Sequence, residues 1–154
     1  MLFRLRLASY VAAALWLPLS AHAADVATPA GLLIYEKHCV ACHQIGGQGV
    51  PGLAPALAGT LASVVATEEG RRYVASVLLH GLSGRIVSQG QVLIGAMPAQ
   101  TQLSDAELVD VANYLAKDLN RAPDAVFLAE DFARSRGSKI SHKDLRILRA
   151  RLIP

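Results

Sequence analysis

Two thiols and an imidazole stand together in the run Cys39-Val40-Ala41-Cys42-His43. Sulfurs spaced this way on one helical turn can add to the two vinyl groups along a porphyrin edge, and the next side chain then rises beneath the iron. That is why C-x-x-C-H marks covalent haem attachment. Other chemistries share C-x-x-C. A thioredoxin-like redox pair wants a βαβ setting, and none is visible. A zinc site takes four ligands as a rule, and the chain has no second cysteine pair. A disulfide suits an oxidising compartment, yet two cysteines this close on one helix are poorly placed to close one. The motif therefore assigns Cys39 and Cys42 to one covalent haem c and His43 to an axial position on its iron. A ligating imidazole needs an acceptor at its other nitrogen, and a loop carbonyl near Pro51 is the candidate.

The opposite axial position is reached by elimination as much as by motif. Met1 leaves with an export signal, so Met97 is the one methionine of the mature chain. It lies 54 residues after His43, just before a long capped helix, and a connection wrapping the porphyrin can bring its sulfur to the other face. Methionine is a soft, neutral ligand that raises the potential relative to two imidazoles. A methionine filling a core gap is the commoner case in general; the attachment motif and the following Pro98 favour the ligand. Of the other histidines, His22 falls in the export signal, His142 in the tail, and His38 beside Cys39, facing solvent. His80 is the competitor for the iron, its alternative role being to bond the last carbonyls of a helix. Arg85 stands open between pairing with a haem propionate and lying solvated at the surface.

Helices must position these groups. Thr28 as a cap, with Pro29 in the first turn, predicts a helix running to about His43. Leu32, Tyr35, Cys39 and Cys42 then share one face. From Gly46 to Gly59 the chain reads as an ordered loop whose small residues let the backbone pass close to the porphyrin edge. It lacks the lysine and the preceding strand of a phosphate loop. Thr67, Glu68 and Glu69 open a second helix with Tyr73, Val74, Val77 and Leu78 on its apolar face and Gly81 at its end. Residues 82 to 102 read as a glycine-punctuated loop. Ser104 and Glu107 form a capping box, flanked by a Leu103–Leu108 staple, for a helix reaching Asn120. Its buried stripe is Leu108, Val111, Ala112, Leu115 and Leu119. No segment alternates like a strand, so the class is all-α. Beyond Pro123 a short helix bears Val126, Phe127 and Phe132, and Ser141 with Asp144 caps another bearing Leu145, Leu148 and Leu152.

Residues 1 to 23 have the parts of a secretory signal peptide: Arg4 and Arg6, an apolar run Leu7 to Leu17, and the small-x-small site Ala21-His22-Ala23. The run falls short of the ~20 residues of a membrane span, so no stable span remains after cleavage; an uncleaved anchor is the alternative. The whole chain carries a net charge of +3, but cleavage leaves thirteen bases against twelve acids, which excludes nucleic acid as a partner. The division is a domain at 24 to 120, with five bases and eight acids, and a basic C-terminal extension at 121 to 154, with eight bases and four acids. Residues 24 to 120 keep only Tyr35, Tyr73 and Tyr114 as aromatics, a thin core for a domain of this size. A buried porphyrin would fill it.

These features together resemble the class I cytochrome c family, particularly bacterial monohaem domains that accept electrons from exported dehydrogenases. The likeness spans residues 28 to 120. It rests on Cys39-Val40-Ala41-Cys42-His43, Gly49-Val50-Pro51-Gly52, Pro55-Ala56-Leu57-Ala58-Gly59, Leu82-Ser83-Gly84, and Met97-Pro98 leading into Leu103-Ser104-Asp105. It implies a class I cytochrome c fold, three main helices around one covalently bound haem, with the first and last crossing near Gly31, Tyr35 and Tyr114. It also implies axial roles for His43 and Met97. The helical extension lies outside the pattern. Six ligands on the iron leave no position for substrate, which favours an electron carrier over an enzyme. The expectation is a periplasmic protein passing single electrons between a dehydrogenase or quinol-oxidising complex and an acceptor through brief contacts. The alternatives are a haem subunit of a larger dehydrogenase, docked by the extension, and a haem enzyme with an open sixth position.

Overall fold

The computed structural model describes residues 29–153; the signal at 1 to 23 and the Thr28 cap lie outside the described residues. Pro29, expected in the first turn, instead holds the N-cap position of α1 (Ala30–His38), its carbonyl accepting from Leu32 at 3.0 Å. The helix expected to continue to His43 kinks at Cys39 and resumes as α2 (Val40–His43). Hydrogen bonding persists across the kink, since Cys39 N–H still donates to Tyr35 and His43 N–H donates to Cys39. A short 3-10 turn and an irregular loop lead to α3 (Ala62–Val65) and then α4 (Glu68–His80), which Thr67 caps by accepting from Gly70 N–H at 3.0 Å. The capping box of Ser104 and Glu107 opens α5 (Asp105–Tyr114), which continues as a π turn over Leu115–Leu119. The tail forms α6 (Ala129–Arg136) and α7 (His142–Leu152), the latter capped by Ser141.

The stretch expected to be a loop after Gly81 is a two-stranded antiparallel hairpin, β1 (Leu82–Ser88) and β2 (Gln91–Met97). The strictly all-α reading is corrected to a mostly helical one. The physical reason lies in the turn: Gln89 and Gly90 both adopt positive φ, 50° and 76°, the two-residue geometry that matches strand twist. Register places Met97 opposite Leu82, directly after the end of α4. Gly81 makes that approach possible, because a Cβ there would sit 2.5 Å from the Met97 carbonyl oxygen.

α1 crosses α5 where Gly31 faces Asp110 and Tyr114, and the Tyr35 and Tyr114 rings pack with centroids 5.4 Å apart. A Cβ on Gly31 would meet Tyr114 Cβ at 2.7 Å. Gly31→Ala is therefore expected to force the helices apart at a cost of about 3 kcal/mol, read as a lowered melting temperature. The core continues into the tail: Phe127, Phe132 and Leu145 are fully buried, and Asn113 clamps Phe127 by bonding both its N–H (2.9 Å) and its carbonyl (3.2 Å). Part of the charge asymmetry closes on itself, Arg136 pairing with Asp105 and Arg151 with Glu69, each at 2.8 Å. Among the described residues no helix is long and apolar enough to cross a membrane.

Candidate haem site

An apolar cleft opens beside the α1–α2 kink, bounded by the 3-10 loop, α4, the hairpin and the end of α5. Its cavity volume is about 210 Å³, and it is partly open to solvent. Cys39, Cys42, His43 and Met97 all line it. Cys39 and Cys42 form no disulfide; Cys42 is exposed and Cys39 half-buried. Burial, and then the neighbouring Cys42, push the Cys39 thiol up to about 11.

His43 is 7% exposed, and its Nδ1 lies 3.0 Å from the Pro55 carbonyl oxygen. A carbonyl only accepts, so Nδ1 carries the proton and Nε2 keeps its lone pair. Burial lowers the imidazole pKa, the Pro55 bond opposing it, and the ring is held neutral, the form a metal binds. The acceptor is Pro55, four residues beyond the expected Pro51, because the loop doubles back: Val50 and Ala54 bridge, and Leu57 N–H bonds Gly47 at 2.7 Å. Gly49 permits the fold-back, since a Cβ there would stand 2.5 Å from Ala56 N. The glycine expected to admit a porphyrin edge admits the loop's own backbone.

Tyr35 ties this loop to α1 by donating to the Gln44 carbonyl at 2.8 Å. Burial, with Cys39 and Tyr114 adding to it, pushes the phenol up to about 12 from 10.0. The folded chain thus holds this proton longer than the unfolded chain. Its contribution is intact below pH 10 and is lost as pH climbs through about 12. Tyr35→Phe is expected to flatten that alkaline loss of stability, checked by melting temperatures from pH 9 to 12.

His80, the competitor for the iron, points elsewhere: its Nε2 lies 2.9 Å from the Ser135 carbonyl oxygen in α6. It bonds a carbonyl of the tail rather than of its own helix. His38 lines the cleft rather than facing away from it, and His142 Nδ1 accepts from Ser83 N–H at 2.9 Å. Arg85 is exposed and does not line the cleft. The arginine that does is Arg149, from the tail, which sequence reasoning missed. Its guanidinium is buried with Nε unpartnered among the described residues.

These features fit a haem: an apolar slot for the macrocycle, two thiols at its edge, a neutral imidazole and a thioether for iron, and a buried cation wanting an anion. The family Cytochrome c matches residues 30–117, and the chain belongs to that family. It is a c-type cytochrome, carrying covalently bound haem c and serving electron transfer rather than catalysis. It is 37% identical over 126 residues to a cytochrome c-552 of Thermus thermophilus, covering 79% of this chain and 95% of that protein. A second cytochrome c-552 of that species is also 37% identical, with 84% of its length covered.

Proposed function

We propose that Cys39 and Cys42 hold the haem by thioether bonds, that His43 Nε2 and Met97 sulfur ligate its iron, and that the protein is a periplasmic carrier. It takes single electrons from a dehydrogenase or quinol-oxidising complex and delivers them to an acceptor. The division behind this reading is a signal at 1 to 23, a haem domain at 24 to 120 and an extension at 121 to 154. The observation that carries it is the convergence of all four side chains on one cleft, with His43 pinned by Pro55.

Bound there, the haem supplies a one-electron couple. The chain's residues do the rest. Pro55 fixes the ring plane and tautomer of His43, and the hairpin register holds Met97 in place. Leu57, Leu61, Val74, Leu78 and Leu82 keep water out, which disfavours the more highly charged ferric state and raises the potential. The carrier reading is preferred to a docked subunit because Phe127, Phe132 and Leu145 of the extension are buried against its own domain. Carbon monoxide added to the ferrous protein should leave its spectrum unchanged over minutes. A complex formed within seconds would mark an open site and an enzyme instead.

Residues 44–67 and 86–104 contain no charged side chain, and Leu53, which lines the cleft, is 59% exposed. Gly95 and Leu53 meet at the cleft's edge, so the part of the rim they form is apolar and uncharged. Electron self-exchange between two copies, measured by line broadening, should change by less than about twofold between low and high salt, because steering by charge is what salt screens.

A further inference from the structure

Arg149 comes from the basic extension, yet only 7% of it is exposed, and it lines the cleft with His43 and Met97. Its contacts are poor for a guanidinium. Nη1 reaches Tyr73 Oη at 3.5 Å, Nη2 reaches the Val87 carbonyl at 3.4 Å, and Nε finds no partner among the described residues. No carboxylate among them pairs with it, whereas three of the other five tail arginines, Arg134, Arg136 and Arg151, each have one. On its far side it borders a small cavity shared with Arg85 and Arg146, which adds positive charge rather than relieving it. Arginine stays ionised in proteins. A buried cation left without a counter-ion is strongly destabilising, and its planar fork matches a carboxylate by two parallel bonds.

Resting on the haem reading above, we infer that Arg149 is the counter-ion of a haem propionate, with the Tyr73 hydroxyl beside it. The extension is then part of the haem site rather than an appendage. α7 also caps the open edge of β1, through His142 and Arg146 on the backbone of Ser83, and β1 pairs with the strand that carries Met97. One helix thereby links the propionate side of the cleft to the thioether side.

The test uses the full-length holoprotein in its ferrous, diamagnetic form. Nuclear Overhauser contacts are expected between Arg149 side-chain protons and the propionate methylene protons. Arg149→Gln should shift the ferric-to-ferrous ratio at a fixed applied potential about three- to tenfold towards ferric, the Coulomb effect of losing one unit charge near the haem at intermediate dielectric. Arg149→Lys should recover most of that shift. Arg151→Gln, which removes a charge from the exposed face of the same helix, should stay within about twofold of the parent. Two results overturn the assignment while leaving covalent haem and Met97 ligation standing: no such contacts in a parent whose spectrum shows that ligation, or equal ratios for parent and Arg149→Gln. If Arg149→Gln does not mature, the contacts in the parent decide alone. A parent without covalent haem overturns the earlier reading instead.

Discussion

Met97→Ala is expected to abolish the far-red sulfur-to-ferric absorption band while leaving the haem attached. The variant should bind carbon monoxide within seconds in the ferrous state, where the parent does not. Its potential should fall by a sizeable part of the ~0.8 V range that axial ligands span, because a neutral, soft donor that favours ferrous iron has gone. The competing histidine of helix α4 is not positioned to replace it. His80 is committed to Ser135 at 2.9 Å, and the hairpin residues around Met97 are Gly95, Ala96 and Pro98, none with a donor side chain. A variant that kept the band would show that another sulfur or none had been responsible.

The second large effect is expected from Cys39→Ser combined with Cys42→Ser. Haem should then leave the denatured protein on extraction with acidified organic solvent, where in the parent it stays with the polypeptide. Stability should fall further than the ~5 kcal/mol of the largest single core truncations, since the cleft's apolar walls lose their filling together. Thermal unfolding should show this as a drop of about 20 °C or more. The thin aromatic core points the same way: Tyr35 and Tyr73 are the buried rings of residues 29–120, and both border or support the cleft.

Local signals in the sequence proved legible because they act within a turn. The Thr67 cap, the Ser104–Glu107 box and the Ser141 cap each bond a backbone N–H three residues ahead. The Gly31–Tyr35–Tyr114 crossing followed from family resemblance and stands in the fold. The hairpin was not legible, because both its faces carry apolar residues. Ile86 and Leu93 turn towards the cleft while Val87, Val92 and Ile94 are exposed, so the period-two alternation of a half-buried strand never forms. The clue available was Gln89-Gly90, with Val87 and Val92 one residue further out on either side, a weaker relative of the Asn-Gly turn. Arg149 was invisible for another reason: its partner Tyr73 lies 76 residues away, and only the packing of α7 over β1 brings them together. The Pro55 carbonyl depended in the same way on how the loop folded back.

The mass of the exported protein, measured under denaturing conditions after expression in a host that matures cytochromes, bears on all of this at once. One haem should remain added to the polypeptide and map by fragmentation to the peptide spanning Cys39 to His43. A colourless chain of unmodified mass, with both thiols open to alkylation, would contradict the account.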